Sequence, residues 1–134
     1  MTKAKSDKKV PKTRKRVLIV DDDVELAQMV KDVLESHHYE VEIANNGLEA
    51  IEKTNSFPVD VILLDIRLPI FSGIWFCDAF RKRPKTKAVP IIVISGACDE
   101  SEIEKAYTVG ASAFLKKPFK FDELFKILER LTSE

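Results

Sequence analysis

The stretch Val61-Ile62-Leu63-Leu64-Asp65 decides the fold of this chain. Four consecutive apolar residues after a proline-containing turn predict a short strand buried on both faces, because a half-buried strand would alternate polar and apolar residues. Asp65 ends the strand. Since an isolated charge is costly to bury, its carboxylate is expected to project from the strand's carboxyl end and not to lie in the core. Residues 66–73 then form a loop at the edge where open parallel sheets bind ligands.

Length and charge define the domain organisation. The chain has 134 residues, 45% of them hydrophobic, which suits one domain with a single sizeable core. Its net charge is zero, but the first sixteen residues hold eight Lys or Arg and one acid, a net charge of +7 that leaves −7 on the remainder. A basic segment with few apolar residues cannot offset its ordering entropy. Residues 1–15 are therefore predicted to be a disordered tail, and residues 16–134 the folded domain.

The basic tail has two interpretations. It either keeps the protein soluble or makes an electrostatic contact with nucleic acid, anionic lipid or an acidic partner. Nucleic acid is not expected as a partner apart from such a non-specific contact. No signal peptide and no apolar run long enough to span a bilayer is visible, so the chain is predicted to be cytoplasmic.

The cysteine and histidine residues do not form a metal-binding pattern. Cys77 and Cys98 are far apart and lie in apolar segments, which predicts reduced, buried thiols. His37 and His38 fall at the end of a predicted helix, where surface positions are expected.

Strand and helix patterns alternate five times along the chain. This alternation predicts a parallel sheet with right-handed crossovers and helices on both faces. Trp75, Phe76 and Phe80 are expected to pack against the sheet and not to form a cofactor site. The helix at 99–109 has few apolar residues and should pack weakly. Strands are predicted at 17–20, 39–44, 61–65, 90–94 and 113–115, and helices near 26–34, 48–53, 74–80, 99–109 and 121–131.

Four of the five strands end in polar residues of different chemical types: Asp21-Asp22, Asp65, Ser95 and Lys117. The carboxyl ends of parallel strands share one edge, so these side chains should meet there. Three carboxylates in one pocket repel one another unless a cation compensates them, and hard oxygen ligands at an open site favour Mg²⁺ or Mn²⁺. An ammonium and a hydroxyl suit phosphoryl oxygens, and a carboxylate beside a metal can act as a nucleophile. The sequence therefore predicts phosphoryl chemistry that gives an aspartyl phosphate.

Four segments in this order resemble the receiver domains of two-component response regulators, the single-domain chemotaxis regulators in particular. They are VLIVDD at 17–22, LLDIRLP at 63–69 with Gly73, IVISG at 92–96, and FLKKPF at 114–119. The resemblance covers essentially residues 16–131. It implies a flavodoxin-like (βα)5 fold, a doubly wound parallel sheet with strand order 2-1-3-4-5.

The resemblance also implies roles for the acidic residues. Asp65 looks like the phosphoacceptor. Asp22 and the main-chain carbonyl of Arg67 look like direct Mg²⁺ ligands, and Asp21 like a ligand that acts through water. Asp65 belongs to the same set of metal ligands.

The remaining implied roles concern phosphoryl contact and signalling. Lys117 looks like the lysine that contacts the phosphoryl group. Ser95 looks like the hydroxyl that moves toward this group, and Phe114 like the aromatic residue that changes rotamer together with it. The expected phosphodonor is a sensor histidine kinase or a histidine phosphotransfer protein. An unidentified downstream protein is expected near the helix at 99–109.

The resemblance also implies that Arg67 and Ala97 lie beside the route of an attacking water, and neither residue is a carboxylate or an amide. A slowly self-dephosphorylating domain is therefore expected, not a multiple-turnover enzyme. Two alternatives stay open at this stage. One is a receiver-like interaction module that works without phosphorylation. The other is a haloacid-dehalogenase-type phosphatase with Asp21-Asp22-Asp23 as its motif, which would leave Asp65 without a role.

Overall fold

A computed structural model describes residues 14–68, 71–96 and 99–133. It contains five strands: β1 (Arg16–Val20), β2 (Glu40–Ala44), β3 (Val61–Asp65), β4 (Ile91–Ser95) and β5 (Ala113–Lys116). Five helices alternate with them: α1 (Val24–Ser36), α2 (Gly47–Ser56), α3 (Gly73–Arg81), α4 (Glu100–Thr108) and α5 (Phe121–Thr132). All neighbouring strands are parallel, in the order β2-β1-β3-β4-β5. The predicted fold is confirmed.

The central strand β3 supplies side chains to a core on each face of the sheet. Val61 and Leu63 pack with α1 and α5, whereas Ile62 and Leu64 pack with α2, α3 and α4. All four are at most 1% exposed. Burying each of these side chains contributes about 1.5–3 kcal/mol, which explains the continuous apolar run.

Polar caps determine where several helices begin. The side chain of Asp23 accepts a hydrogen bond from the main-chain N–H of Leu26 at the start of α1. The side chain of Asp99 accepts one from the main-chain N–H of Glu102 at the start of α4. Such caps satisfy N–H groups that have no partner within the helix.

Helix α4 packs weakly, as its sequence predicted. Ala106 is its one fully buried residue, and Tyr107 is 48% exposed. A helix with so little buried apolar area can shift at a low free-energy cost.

One of the aromatic residues of α3 was predicted wrongly. Phe76 and Phe80 are buried in the core, but Trp75 is 48% exposed. Adjacent helical residues are rotated by about 100°, so Trp75 cannot face the sheet when Phe76 does. Trp75 instead stacks on Phe71, with the two ring centroids 4.6 Å apart.

Cys77 is a buried free thiol, and burial raises the pKa of this thiol to about 11. Cys98, Ala97 and residues 1–13 of the predicted tail lie outside the described residues. No helix within the described ranges is both long enough and apolar enough to cross a membrane.

Candidate functional site

The carboxyl ends of β1 and β3 bring three carboxylates together. Asp21 follows β1, Asp65 ends β3, and the two strands are adjacent, with Val20 opposite Leu64. Asp21, Asp22 and Asp65 each offer one oxygen, and these three atoms lie within 4.8 Å of one another. Asp22 is exposed while the other two are buried, so the group opens to solvent at one side.

Asp65 lies at the strand end as expected, but it is more deeply buried than predicted, at 5% exposed. Two donors make this burial tolerable. The main-chain N–H of Arg67 donates to Asp65 Oδ1 at 3.0 Å, and the Lys117 ammonium donates to Oδ2 at 3.3 Å. A buried charge is stable only when it is paired in this way.

Lys117 is shared between two carboxylates. Its Nζ lies 3.2 Å from Asp21 Oδ2 and 3.3 Å from Asp65 Oδ2. Burial alone would lower the pKa of Lys117, but the charges of Asp21 and Asp65 outweigh burial and raise it. The side chain therefore remains a cation.

The carboxyl group of Asp65 has a raised pKa. Burial is the largest cause, and the charge of Asp21 acts in the same direction. The hydrogen bond from Arg67 and the charge of Lys117 lower this pKa but do not cancel the rise. The Lys117 ammonium thus only partly compensates the negative charge of the carboxylate cluster. A bound divalent cation would favour the ionised form of Asp65.

The donors fit Mg²⁺ or Mn²⁺. Carboxylate oxygens are the hard ligands that these cations prefer, and the exposed Asp22 leaves room for bound water. Asp21 is held in place because its Oδ1 accepts a hydrogen bond from the main-chain N–H of Asp23 at 2.9 Å. The hydrogen bond to Asp65 likewise holds the main chain of Arg67 beside the carboxylates.

Ser95 ends β4, the strand next to β3, and is fully buried. Its Oγ has no hydrogen-bond partner among the residues that the structure describes. A buried unpaired hydroxyl costs about 1–3 kcal/mol, so an incoming oxygen atom that pairs with it would be favoured. The main-chain N–H of Lys117 donates to the Ser95 carbonyl at 2.9 Å, which holds both residues at the same edge.

A long-range ion pair joins the loop after Asp65 to α4. A guanidinium nitrogen of Arg67 lies 3.1 Å from Glu102 Oε1. This pair was not among the contacts predicted from the sequence. Residues 35 positions apart carry no sequence signal for such a contact.

Phe114 lies in β5, opposite Val93, and is partly buried against the core shared by α2, α3 and α4. The structure therefore places it on the strand that ends beside Lys117. Its predicted switching role stays a prediction.

The comparisons with known proteins agree with this geometry. A family model described as the response regulator receiver domain matches residues 17–129. The transcriptional regulatory protein CrdR of Helicobacter pylori is 32% identical over 123 residues, which are 90% of this chain and 56% of CrdR. The chain spans about half the length of the curated relatives it matches.

Solved structures of related proteins also match this chain in fold. The chemotaxis protein CheY4 of Vibrio cholerae superposes with a TM-score of 0.84 at 34% identity, over 89% of this chain and 99% of that one. The receiver domain of the Pseudomonas aeruginosa sensor histidine kinase PA1611 has a TM-score of 0.82 at 28% identity, over 91% of this chain and 100% of that one. That structure has a magnesium ion coordinated in its active site cleft.

Proposed function

Since the chain belongs to the response regulator receiver domain family, we propose that Asp65 is the residue on which it accepts a phosphoryl group. The supporting observation is the position of Asp65, which lies both 3.3 Å from the Lys117 ammonium and on the strand adjacent to Ser95. Asp21 also contacts Lys117, but its strand β1 is not adjacent to β4. Asp65 is thus the carboxylate that contacts the cation and also lies on the strand next to the one that carries the unpaired hydroxyl.

The proposed reaction transfers one phosphoryl group from a phosphohistidine. A carboxylate oxygen of Asp65 forms a bond to phosphorus while the phosphorus–nitrogen bond of the donor breaks. The electron pair of that bond stays on the imidazole nitrogen, which takes a proton. Lys117 and the Ser95 hydroxyl contact the phosphoryl oxygens, where negative charge is concentrated.

Receiver domains bind Mg²⁺ through acidic residues, and the cluster found here offers three. We assign Asp22, Asp65 and the Arg67 carbonyl as direct ligands, and Asp21 as a ligand through water. Bound there, the cation would neutralise charge on the carboxylates and on the phosphoryl oxygens. Mn²⁺ would serve the same purpose.

Receiver domains pair with histidine kinases, and we propose a sensor histidine kinase or a histidine phosphotransfer protein as the donor. The downstream partner is proposed to bind near the helix between Asp99 and Val109. The Arg67–Glu102 ion pair supports this, because it connects the acceptor loop directly to α4. Ser95 and Phe114 are the proposed switch residues. A cytoplasmic location, general among receiver domains, is proposed as well.

A receiver domain is a signalling module and not an enzyme with multiple turnovers. The family match also excludes the haloacid-dehalogenase alternative. Self-dephosphorylation is expected to be slow, with a half-life of minutes or longer, because Arg67 is paired with Glu102 and is not a group that activates water. Loss of the phosphoryl group, followed by intact mass after removal of the donor, measures this rate. A half-life of seconds would contradict the expectation.

Intact mass after incubation with Mg²⁺ and acetyl phosphate tests the proposed function. The native chain should gain one phosphoryl group, and Asp65→Asn should gain none, a loss of at least about 100-fold, because the amide is not a nucleophile. Omitting Mg²⁺ should abolish the gain.

The matched control is Asp60→Asn. Asp60 is an exposed carboxylate at the opposite edge of the sheet, so this variant should be phosphorylated like the native chain. If the folded native chain binds Mg²⁺ but gains no mass, the proposal is wrong and the phosphorylation-independent interaction module takes its place.

A further inference from the structure

Two cationic segments lie at the edge of the sheet opposite the carboxylates. The connection between α3 and β4 follows Arg81, the last residue of α3, and carries four cations and no acid: Lys82, Arg83, Lys85 and Lys87. The chain enters β1 through Arg14, Lys15 and Arg16. We call residues 14–16 and 82–87 together the basic edge.

Main-chain hydrogen bonds place the two segments close together. The N–H of Asp60 donates to the Arg16 carbonyl at 2.8 Å, and the N–H of Ile62 donates to the Pro90 carbonyl at 3.0 Å. The starts of β1, β3 and β4 are therefore neighbours. The start of β1 and the start of β4 lie two strand spacings apart, which is about 10 Å. Duplex DNA carries one charge per about 1.7 Å of its axis, so an edge of this width faces several phosphates.

The loop between α3 and β4 is held in one shape by Arg81. Its guanidinium donates to the carbonyls of Thr86, Lys87 and Val89, at 3.2, 3.3 and 2.6 Å. The buried Thr86 hydroxyl donates to the Phe80 carbonyl at 2.6 Å. A loop fixed in this way presents its other cations with little further loss of conformational entropy on binding.

Several cations of the basic edge are not neutralised by carboxylates in the contacts that the structure gives. Arg83 and Lys85 both bond to Asn55, a neutral residue, at 2.8 and 3.0 Å. Lys87 and Arg14 are exposed. By contrast, Arg16 pairs with Glu40, and Lys82 pairs with Asp78. Asp60, which lies between the two segments, is exposed and offsets one of these charges. The net charge of the edge is still positive, and the side chains of Arg14, Lys85 and Lys87 expose it to solvent.

We infer that the basic edge binds the phosphate backbone of double-stranded DNA without sequence preference. Neither segment contains any of the large apolar side chains found exposed in the described residues, so insertion into a membrane has no anchor here. Single-stranded nucleic acid is disfavoured because its bases stack on aromatic side chains, which neither segment contains. A protein partner is disfavoured for a similar reason, because protein interfaces centre on aromatic anchors. A surface that offers positive charge without aromatic side chains fits the phosphate backbone of a DNA duplex.

The residues that precede the basic edge in the sequence add to its positive charge. The thirteen residues before Arg14 include five lysines and one aspartate, so the chain next to the basic edge is itself cationic. From the sequence, contact with nucleic acid was expected for this tail alone. The structure places folded, fixed cations beside the point where it joins the domain.

The test measures binding of the full chain to a labelled DNA duplex of arbitrary sequence over a range of salt concentrations. Lys85→Gln/Lys87→Gln should weaken binding at least about tenfold at low salt and reduce the salt-dependence slope by about 1.8, because two phosphate contacts are lost. The matched control, Lys105→Gln/Lys126→Gln, removes two exposed cations from α4 and α5 and should bind like the native chain.

The inference would be overturned by no binding of the native chain to DNA, by equal losses in both double variants, or by tighter binding to phosphatidylserine vesicles than to DNA. Native-like binding by Lys85→Gln/Lys87→Gln would assign the contact to the tail and equally refute the basic edge. Asp65→Asn should bind DNA like the native chain, so this outcome is independent of the proposed phosphorylation.

Discussion

Replacing Lys117 by methionine is expected to lower the free energy of unfolding by about 3 kcal/mol when no divalent cation is present. The ammonium contacts both Asp21 and Asp65, which are 6% and 5% exposed. Removing it leaves two buried carboxylates without their cation, and a buried charge that has lost its partner is strongly destabilising. Urea denaturation of the native chain and the variant in a chelating buffer measures the loss.

Two conditions should reduce this loss. Saturating Mg²⁺ should restore part of the stability, because a bound cation compensates the same carboxylates. Lower pH should also reduce it. The pKa of Asp65 is raised by burial, so protonation of the folded protein removes the unpaired charge as the pH falls through that pKa.

Lys116→Met is the matched control for Lys117→Met. Lys116 is the neighbouring lysine and is exposed, so its loss should change the unfolding free energy by less than about 0.5 kcal/mol. An equal effect of both substitutions, or a Lys117→Met variant as stable as the native chain, would contradict the account of the charge balance.

Replacing Gly73 by alanine is expected to cost about 3 kcal/mol of unfolding free energy. A Cβ atom at this position would lie 2.2 Å from the Asp65 carbonyl oxygen and 2.8 Å from Ile66 Cα. Both are main-chain atoms of the acceptor loop, so the backbone itself would have to move. Phosphorylation by acetyl phosphate should slow at least about tenfold as well, because a shift of about 1 Å would misplace Asp65, the proposed nucleophile.

Gly96→Ala provides the comparison, because it is also a loop glycine at the site. Its Cβ would meet the side chain of Lys117 at 3.4 Å, an ordinary contact, and the expected loss is below about 1 kcal/mol. Thermal or urea denaturation of both variants tests the difference. A Gly73→Ala variant as stable as Gly96→Ala would show that the acceptor loop is not constrained as described.

Much of the fold could be predicted because the signals are local. The apolar runs that form β1, β3 and β4 each identify a buried parallel strand without knowledge of the rest of the chain. The strand order itself came from the resemblance to receiver domains, and the structure has the same order.

The residues of the candidate site could be found because each lies at the carboxyl end of a strand or within one residue after it. Asp21, Asp65, Ser95 and Lys117 are separated in sequence, yet a parallel sheet places the carboxyl ends of its strands along one edge. The depth of burial of Asp65 was not predictable, because it depends on Lys117, 52 residues away, and on the main chain of Arg67.

Features that depend on distant partners or on helical phase escaped prediction. Trp75 is exposed because its neighbour Phe76 takes the position that faces the sheet. The Arg67–Glu102 ion pair and the hydrogen bonds of Arg81 join segments that sequence patterns treat separately. These contacts depend on tertiary structure, and no residue type at either end identifies them.

The identity of the phosphorylated residue is the central claim, and the competing carboxylate is Asp21, which has the same ammonium as a partner. Borohydride converts an aspartyl phosphate to homoserine, so peptide sequencing by mass spectrometry after phosphorylation and reduction locates the acceptor. The account predicts homoserine at position 65 alone. Homoserine at position 21, or at any other acidic residue with position 65 unchanged, would contradict it.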